Sequence, residues 1–418
     1  MTYIKPETAA NQLPNSIPEI LHLGLAAAQR EDWLSLNNYL KQLPQTKSRN
    51  RAKRFILKPK EWQTALDLAI KMLIEAEFQH KWSIIKILPF FGEDIIPTLT
   101  PLVRDTAIEA DVRWFACQAL GNFNHPRVIL TLVELLESTA DPELTAIAGK
   151  TLTKIGDNAV DVLEKLLTKP QHRDLAVQSL YYIRTAKTIE PLLTITKDPK
   201  PELRAIALKA LGTFHDSRIP PVLIDALQDK ASDVRKEAAI ALGFRRDLCQ
   251  DLNLVDSLRP LLLDFNLEVC RQAAVSLGRM KDETAITALF DILQKDTTPV
   301  ELKLDLVKAL GWSQIPLAID CLANAIKNSP AIVAEEIVTI LGRTTISELK
   351  PAATLALIEF WQSKNSQLDR PRLKQAIATS LGELRCDLAR EALEELVEDS
   401  DRKVKLHAIS ALKKISPN

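Results

Sequence analysis

Apolar and polar residues follow the spacing of amphipathic helices along most of the chain, and one leucine position returns about every 32 residues. In the stretch 233–243, apolar residues stand eight, four and one positions before Leu242. These offsets share one side of a helix, because each residue turns it by about 100°. The equivalent leucines are Leu88, Leu120, Leu152, Leu180, Leu211, Leu242, Leu277, Leu310, Leu341, Leu381 and Leu412. A period of this length is typical of proteins built from stacked repeats.

A second apolar segment precedes many of these helices, as in residues 128–136, 219–227, 285–293 and 388–397. Each unit is therefore predicted to be a hairpin of two helices. One hairpin cannot bury both of its faces, whereas a stack of hairpins forms a continuous core. The sequence thus predicts an all-α, right-handed α-solenoid of about eleven helical hairpins.

Small residues occupy two further positions in the repeat. Alanine stands four residues before the leucine in seven of the eleven units, so neighbouring helices are expected to approach closely there. A glycine directly follows the leucine in seven units: Gly121, Gly212, Gly243, Gly278, Gly311, Gly342 and Gly382. Since glycine takes the left-handed conformation without a steric penalty, we expect each of these glycines to end its helix.

The amino-terminal region, residues 1–78, does not fit the period, and we interpret it as a helical cap of about three helices before a repeat domain at 79–418. Its linker, residues 47–60, contains seven basic residues and no acidic one. Such a segment is either a solvated linker or an arm for an acidic partner. The candidate residues of that arm are Arg49, Arg51, Lys53 and Arg54.

Three stretches combine a turn with the start of a helix: residues 198–204, 229–235 and 264–269. Through them the chain resembles the HEAT-repeat family, in the variety found in phycobilisome lyase-like proteins. The resemblance implies a polar ladder between repeats, made by an arginine seven residues before the leucine. Eight of the eleven such positions are basic here; the eleven are Lys81, Arg113, Thr145, Arg173, Arg204, Arg235, Cys270, Lys303, Ala334, Lys374 and Lys405.

Composition limits the function. With 54 basic and 54 acidic residues the formal charge is zero, which argues against bulk attraction to nucleic acid or to an anionic membrane. No apolar run approaches the roughly 18 residues that a membrane helix needs, and the amino terminus lacks a signal pattern, so we expect a cytoplasmic protein without membrane insertion.

The residues of common catalytic and metal sites are not found in the required patterns. No histidine precedes a glutamate, which excludes the His-Glu steps of a di-iron site, and there is no phosphate-binding glycine loop and no GxSxG. The five scattered cysteines lack metal-site spacing and are interpreted as buried thiols, although a cluster of distant cysteines stays open. We therefore predict no catalytic residue, no metal and no cofactor.

The resemblance implies that the second helix of each repeat lines a concave surface. Two outward rows, six and two residues before the leucine, hold six basic and two acidic residues. The candidate partner-binding residues are Trp82, Trp114, Lys86, Lys150, Lys209, Lys236 and Arg271. Trp82 and Trp114 share one repeat position, so we expect them to stack, with Lys81, Lys86 and Arg113 around them. The alternative is that the amino-terminal cap covers both tryptophans.

These observations favour a non-catalytic protein-binding scaffold or chaperone whose partner has an acidic surface. A second hypothesis comes from residues 113–121, which resemble the aromatic-rich segment of phycobilin lyase subunits. That resemblance implies a bound bilin and a phycobiliprotein partner, or a role in phycobilisome assembly or degradation. Cys117 and Gln118 replace aromatic residues of that pattern.

The longest repeat has its extra residues at 361–372, which are mostly polar. We expect them to form a surface loop that can be shortened at little cost, because loop-closure entropy grows slowly with length.

Overall fold

The computed structural model describes residues 16–43, 57–363 and 365–415. Within these ranges the regular structure is helical and contains no strand, so the prediction of an all-α solenoid fold is confirmed. The chain forms two compact units, one up to Pro191 and one from Leu192. Arg49, Arg51, Lys53 and Arg54 of the candidate basic arm lie outside the described residues.

The first unit contains ten complete helices among its described residues. They are α1 (Ile17–Gln29), α2 (Trp33–Gln42), α3 (Pro59–Glu75), α4 (Phe78–Ile84), α5 (Ile96–Arg104), α6 (Ala110–Leu120), α7 (Pro126–Ser138), α8 (Pro142–Ile155), α9 (Val160–Leu167) and α10 (Arg173–Ile183). Three short 3₁₀ segments add Leu88–Ile95, Gly156–Ala159 and Ala186–Thr188. Helix α11 (Ile189–Ile195) contains the boundary between the units.

The second unit is also built from helical hairpins, each with a first and a second helix. Its helices are α12 (Pro201–Leu211), α13 (Ile219–Ala226), α14 (Ser232–Leu242), α15 (Leu254–Leu258), α16 (Leu267–Met280), α17 (Glu283–Leu293), α18 (Val300–Ser313), α19 (Pro316–Ile326), α20 (Ala331–Gly342), α21 (Lys350–Gln362), α22 (Pro371–Leu384), α23 (Arg390–Val397) and α24 (Arg402–Ile415). The 3₁₀ segments here are Arg246–Leu248, Arg259–Leu263, Ser347–Leu349, Ser366–Asp369 and Asp387–Ala389.

Helix starts follow the capping chemistry of the sequence. Ser16 and Asp32 cap α1 and α2 by accepting backbone hydrogen bonds at 3.4 Å and 3.1 Å. Asp141 caps α8, accepting from the backbone N–H of Glu143 at 2.8 Å. Each of these oxygens satisfies an amide that the first helical turn leaves without a partner. Among the described residues, three helices, α1 to α3, precede α4. The domain boundary proposed at residue 78 remains a prediction.

The repeating leucines form the core of both units. Ten of the eleven are fully buried, and Leu412 on α24 is half-buried. The first repeat is irregular, because α4 ends at Ile84 and Leu88 lies in the 3₁₀ segment that follows. Pro89 cannot donate a backbone hydrogen bond, and Gly92 has a positive φ of 75°, so a helix cannot continue through this stretch. Lys86 consequently lies beyond the helix on which it was predicted.

The prediction that these glycines end helices is confirmed for Gly121, Gly212, Gly243 and Gly342, but the predicted left-handed conformation is wrong for all seven. None of them has positive φ, and Gly278, Gly311 and Gly382 lie inside α16, α18 and α22. They are instead points of close approach to the next second helix. A Cβ atom on Gly278 would lie 2.6 Å from the backbone oxygen of Ala309. The left-handed residues that follow these helices are not glycines; Lys281 (φ 52°) and Gln314 (φ 51°) are examples.

The predicted polar ladder is present at several of the basic positions, whereas Arg113 donates to the backbone oxygen of Val103. Arg204 pairs with Asp229 in a bidentate arrangement, through N–O distances of 2.8 Å and 2.7 Å. Arg235 does the same with Asp264, at 2.7 Å and 2.8 Å. Lys81–Asp111 and Lys374–Asp399, both at 2.6 Å, repeat the contact with lysine. The ladder therefore joins each of these second helices to an acidic residue of the following repeat.

The long segment at 361–372 is more closely packed than predicted. Trp361 Nε1 donates to Glu395 at 2.8 Å, and Asn365 and Gln367 donate to the backbone oxygens of Lys327 and Ser329, each at 2.9 Å. Part of the segment forms the 3₁₀ turn Ser366–Asp369. These hydrogen bonds join the segment to both the preceding and the following repeat, so its removal is expected to destabilise the fold.

Candidate functional site

Four aromatic side chains cluster on α4 and α6. Phe78 and Trp82 lie one turn apart on α4, whereas Trp114 and Phe115 are neighbours on α6. Phe115 is fully buried and forms the base, with its ring centroid 5.2 Å from Phe78, 5.4 Å from Trp82 and 5.1 Å from Trp114. Edge-to-face geometry of this kind is favourable for aromatic pairs.

Trp82 and Trp114 are adjacent, but they do not stack. Their ring centroids are 5.5 Å apart and their planes meet at 67°, an edge-to-face contact. Trp82 is 38 % exposed, Phe78 is 58 % exposed and Trp114 is half-buried. The described part of the amino-terminal helices therefore leaves these rings accessible.

The exposed rings line a cleft of 520 Å³. Its other walls are the starts of α6 and α8, which contribute Ala110, Asp111, Asp141, Glu143 and Leu144. Volumes of about 300–1,000 Å³ are usual for ligand pockets. An apolar base with a polar rim is also the arrangement expected of a protein-binding hot spot.

The basic residues predicted around the tryptophans do not form this rim. The Lys81 side chain is only 4 % exposed, and its ammonium lies 2.6 Å from the Asp111 carboxylate. Arg113 is buried and donates from Nε to the backbone oxygen of Val103 at 3.0 Å. Lys86 is exposed beyond the end of α4 and does not line the cleft. The rim is instead acidic, through Asp111, Asp141 and Glu143.

Sequence reasoning missed this acidic rim. The three residues lie at the starts of second helices in the two repeats that follow α4, not in the outward rows of helical positions. The ladder pattern contained a signal, because it pairs Lys81 with an acid of the next repeat and so removes this lysine from the surface. Asp141 could also be recognised as the cap of α8.

The other candidate residues are distributed over both units. Lys150, on α8 of the first unit, is exposed and does not line the cleft. In the second unit Lys209 is exposed, Lys236 lies 2.8 Å from Asp233, and Arg271 lies 2.9 Å from Asp305. The charges of Lys236 and Arg271 are thus largely balanced by neighbouring carboxylates.

The cysteines match their interpretation as structural thiols. Cys117, Cys249, Cys270 and Cys321 are buried, and Cys386 is partly exposed. Burial raises the pKa of the Cys117 thiol to about 12, so it is protonated at neutral pH. Cys270, at a ladder position that lacks a base, donates from Sγ to the backbone oxygen of Asp264 at 3.2 Å. Among the described residues no group of three or more histidines, cysteines or acids could hold a metal ion.

Comparison with protein families finds the HEAT-repeat model at residues 96–181 and 189–254. The chain contains HEAT repeats. The matched segments contain Leu120, Leu152, Leu180, Leu211 and Leu242 of the leucine period and the Arg204–Asp229 pair of the ladder. The more specific phycobilisome lyase-like subtype is not supported by any comparison.

Two curated relatives share part of the chain. AP-1 complex subunit beta-1 of Mus musculus is 28% identical over 136 residues, which cover 31% of this chain and 14% of that protein. Protein YibA of Escherichia coli strain K12 is 27% identical over 157 residues, covering 35% of this chain and 55% of YibA. The chain thus spans less than two thirds of either relative.

Solved structures with similar folds include importin beta and the karyopherin Kap121p. A crystal structure of importin beta aligns with a TM-score of 0.55 and 12% identity, covering 97% of this chain and 65% of that one. Kap121p bound to the extreme C-terminus of the protein phosphatase Cdc14p aligns with a TM-score of 0.51 and 16% identity, covering 96% and 54%. At these identities the likeness concerns the fold. In the described part of this chain no helix is long and apolar enough to cross a membrane.

Proposed function

We propose that this protein is a non-catalytic scaffold that binds another protein, and that the cleft formed by Phe78, Trp82 and Trp114 is a main contact surface. The exposure of these large aromatic rings carries the proposal. Large apolar side chains that cluster on a surface mark interaction sites, and tryptophan is enriched among the residues that dominate interface energies.

The setting of the rings supports this function. Phe115 and the ion pair between the buried Lys81 and the partly exposed Asp111 hold α4 against α6, so Trp82 and Trp114 are positioned before a partner arrives. A site organised in advance loses less conformational entropy on binding. The three carboxylates at the rim disfavour nucleic acid, whose phosphates they would repel.

The relatives are consistent with a protein partner. In the similar structure, Kap121p is bound to the C-terminal segment of the phosphatase Cdc14p, and the AP-1 beta-1 protein is a subunit of a complex. The acidic partner surface predicted from the basic rows stays a prediction for the exposed Lys86 and Lys150. The phycobilin lyase alternative gains no support from these relatives, and the buried Cys117 is unsuited to contact a bilin.

The test uses the Trp82→Ala/Trp114→Ala double variant. The native complex is captured from the host with the unaltered chain, its components are identified, and the affinity is measured with the purified partner. Each buried tryptophan can contribute about 2 kcal/mol or more, so at least a tenfold loss of affinity is expected.

Trp312→Ala is the matched control, since Trp312 on α18 is also exposed, at 54 %, but lies in the second unit. It should retain the partner. Unchanged affinity in a double variant with normal helical content would overturn the proposal. A visible bilin absorbance on the captured chain would instead support the lyase-like alternative.

A further inference from the structure

We infer that the segment held in the Trp82–Trp114 cleft is apolar and carries an arginine or lysine side chain. This inference rests on the proposed protein-binding function and names the chemistry of the occupant. It reverses the charge that the sequence predicts for a partner at this surface.

The first argument is the composition of the walls. Phe78, Trp82 and Trp114 present aromatic surface to the cleft, and the exposed Ala110 adds aliphatic surface. An apolar stretch of peptide gains by covering such surface. The face of an indole ring also attracts a cation, and arginine is the side chain found most often in this contact.

The second argument is the charge of the walls. Asp111, Asp141 and Glu143 are the charged residues that line the cleft. The Lys81 side chain, 4 % exposed, pairs with Asp111, whose own side chain is 39 % exposed. The described residues of the lining therefore present carboxylates and no cation beside the rings.

The roles of the three carboxylates differ. Asp111 is held by Lys81, and Asp141 accepts the backbone N–H groups of Glu143 and Leu144 at 2.8 Å and 3.3 Å. Glu143 is exposed at the rim. Asp111 is thus needed for an ion pair and Asp141 for a helix cap. Glu143 can be replaced without loss of either contact, so it is the residue to test.

Size is consistent with a side chain and its neighbours. The 520 Å³ cleft exceeds what one guanidinium group needs and can hold a long side chain with the apolar residues beside it. An acidic segment would place like charges together in a partly desolvated site, which is unfavourable.

The experiment uses the full chain labelled with 5-fluorotryptophan and three probes: acetyl-Leu-Arg-Leu-amide and the peptides with Gln or Glu in the middle. ¹⁹F NMR follows the signals of Trp82 and Trp114, assigned from the Trp82→Phe and Trp114→Phe variants. The arginine peptide should shift both signals saturably and bind at least fivefold more tightly than the glutamine peptide. The glutamate peptide should be weakest.

Glu143→Lys should lower the affinity for the arginine peptide at least fivefold. Glu202→Lys is the matched control, because Pro201–Glu202–Leu203 starts α12 as Pro142–Glu143–Leu144 starts α8, and Glu202 is also exposed. The control should leave the affinity unchanged. Any effect of losing an acid at a helix start is then common to both variants.

The outcomes separate this inference from the proposed function. If the Trp82→Ala/Trp114→Ala variant loses the native partner but the three peptides bind equally, the scaffold function holds and the cationic occupant is overturned. A preference for the glutamate peptide would also overturn it. If arginine amide alone bound as tightly as the arginine peptide, the cleft would be a site for a small cation. The inference that it holds a protein segment would then be overturned.

Discussion

Gly278 offers a sharp test of how the repeats are held together. The residue lies inside α16, and a Cβ added there would meet the backbone oxygen of Ala309 at 2.6 Å and its Cα at 3.1 Å. Because all the nearest atoms are backbone atoms of α18, no side chain can rotate away. The two helices would have to separate by about 0.8 Å to restore an ordinary contact of 3.4 Å.

Two opposing effects determine the result of Gly278→Ala. Overpacking of a tight contact costs about 1–3 kcal/mol. Alanine also favours the helix over glycine by about 0.8–1.0 kcal/mol. We expect the steric effect to exceed the helical preference, with a net loss of up to about 2 kcal/mol in the free energy of unfolding.

Urea denaturation followed by circular dichroism measures the net effect, and hydrogen–deuterium exchange locates it. In a stack of repeats, a weakened interface should show faster exchange in α16 and α18 first. Gly24→Ala is the control, since Gly24 lies inside α1 and a Cβ there would meet only side-chain ends, at 3.3 Å and 3.5 Å. It should be neutral or stabilising. Equal or greater stability of Gly278→Ala would refute the close-approach explanation.

Three further predictions concern caps, ladder and loop. Lys281→Gly should stabilise the protein by about 0.5–1 kcal/mol in urea, since it removes a left-handed lysine, whereas Arg343→Gly, at a cap with φ of −89°, should not. Arg235→Ala should cost about 1–3 kcal/mol at pH 7, and less below about pH 4. Deleting residues 363–368 should destabilise by more than about 1 kcal/mol, and a smaller loss would restore the interpretation as a free loop.

The pH dependence of the ladder has a definite sign. Hydrogen bonds from Arg235 hold the pKa of Asp264 below its ordinary value. A carboxyl group with a depressed pKa in the folded state stabilises the fold above its unfolded pKa and loses this contribution as pH falls through the folded value. The Arg235→Ala variant and the original chain should therefore differ less in their free energy of unfolding as the pH falls. If this difference in free energy stayed constant down to pH 2, the stabilising ion pair would be contradicted.

The parts of the fold that sequence reasoning predicted correctly depend on neighbours within one repeat or the next. The leucine period fixes one buried face per helix, and at several repeats a base seven residues earlier meets an acid of the following repeat. Arg204 and Arg235 confirm this relation with bidentate pairs. Such contacts recur at constant sequence separation, so periodicity is enough to find them.

The glycines were located correctly but explained wrongly, because their constraint comes from another helix. A glycine next to a repeating leucine is compatible with either a left-handed cap or a close approach. Only the position of Ala309 relative to Gly278 decides between the two. The segment at 361–372 was misjudged for the same reason, since its partners Lys327 and Ser329 lie more than thirty residues earlier.

The candidate site shows how the ladder limits what a repeat can bind. Lys81 is one position before Trp82, but its ammonium is used to hold Asp111 and is almost fully buried. Arg113 is likewise buried beside Trp114, with its Nε on the Val103 oxygen. A basic residue at the ladder position therefore contributes stability and little surface charge. The exposed side chain comes from the position directly after the ladder residue. The charge around that side chain comes from residues at the starts of the following second helices. For Trp82 and Trp114 these starts contain Asp111, Asp141 and Glu143, so the surface is acidic although the adjacent sequence is basic.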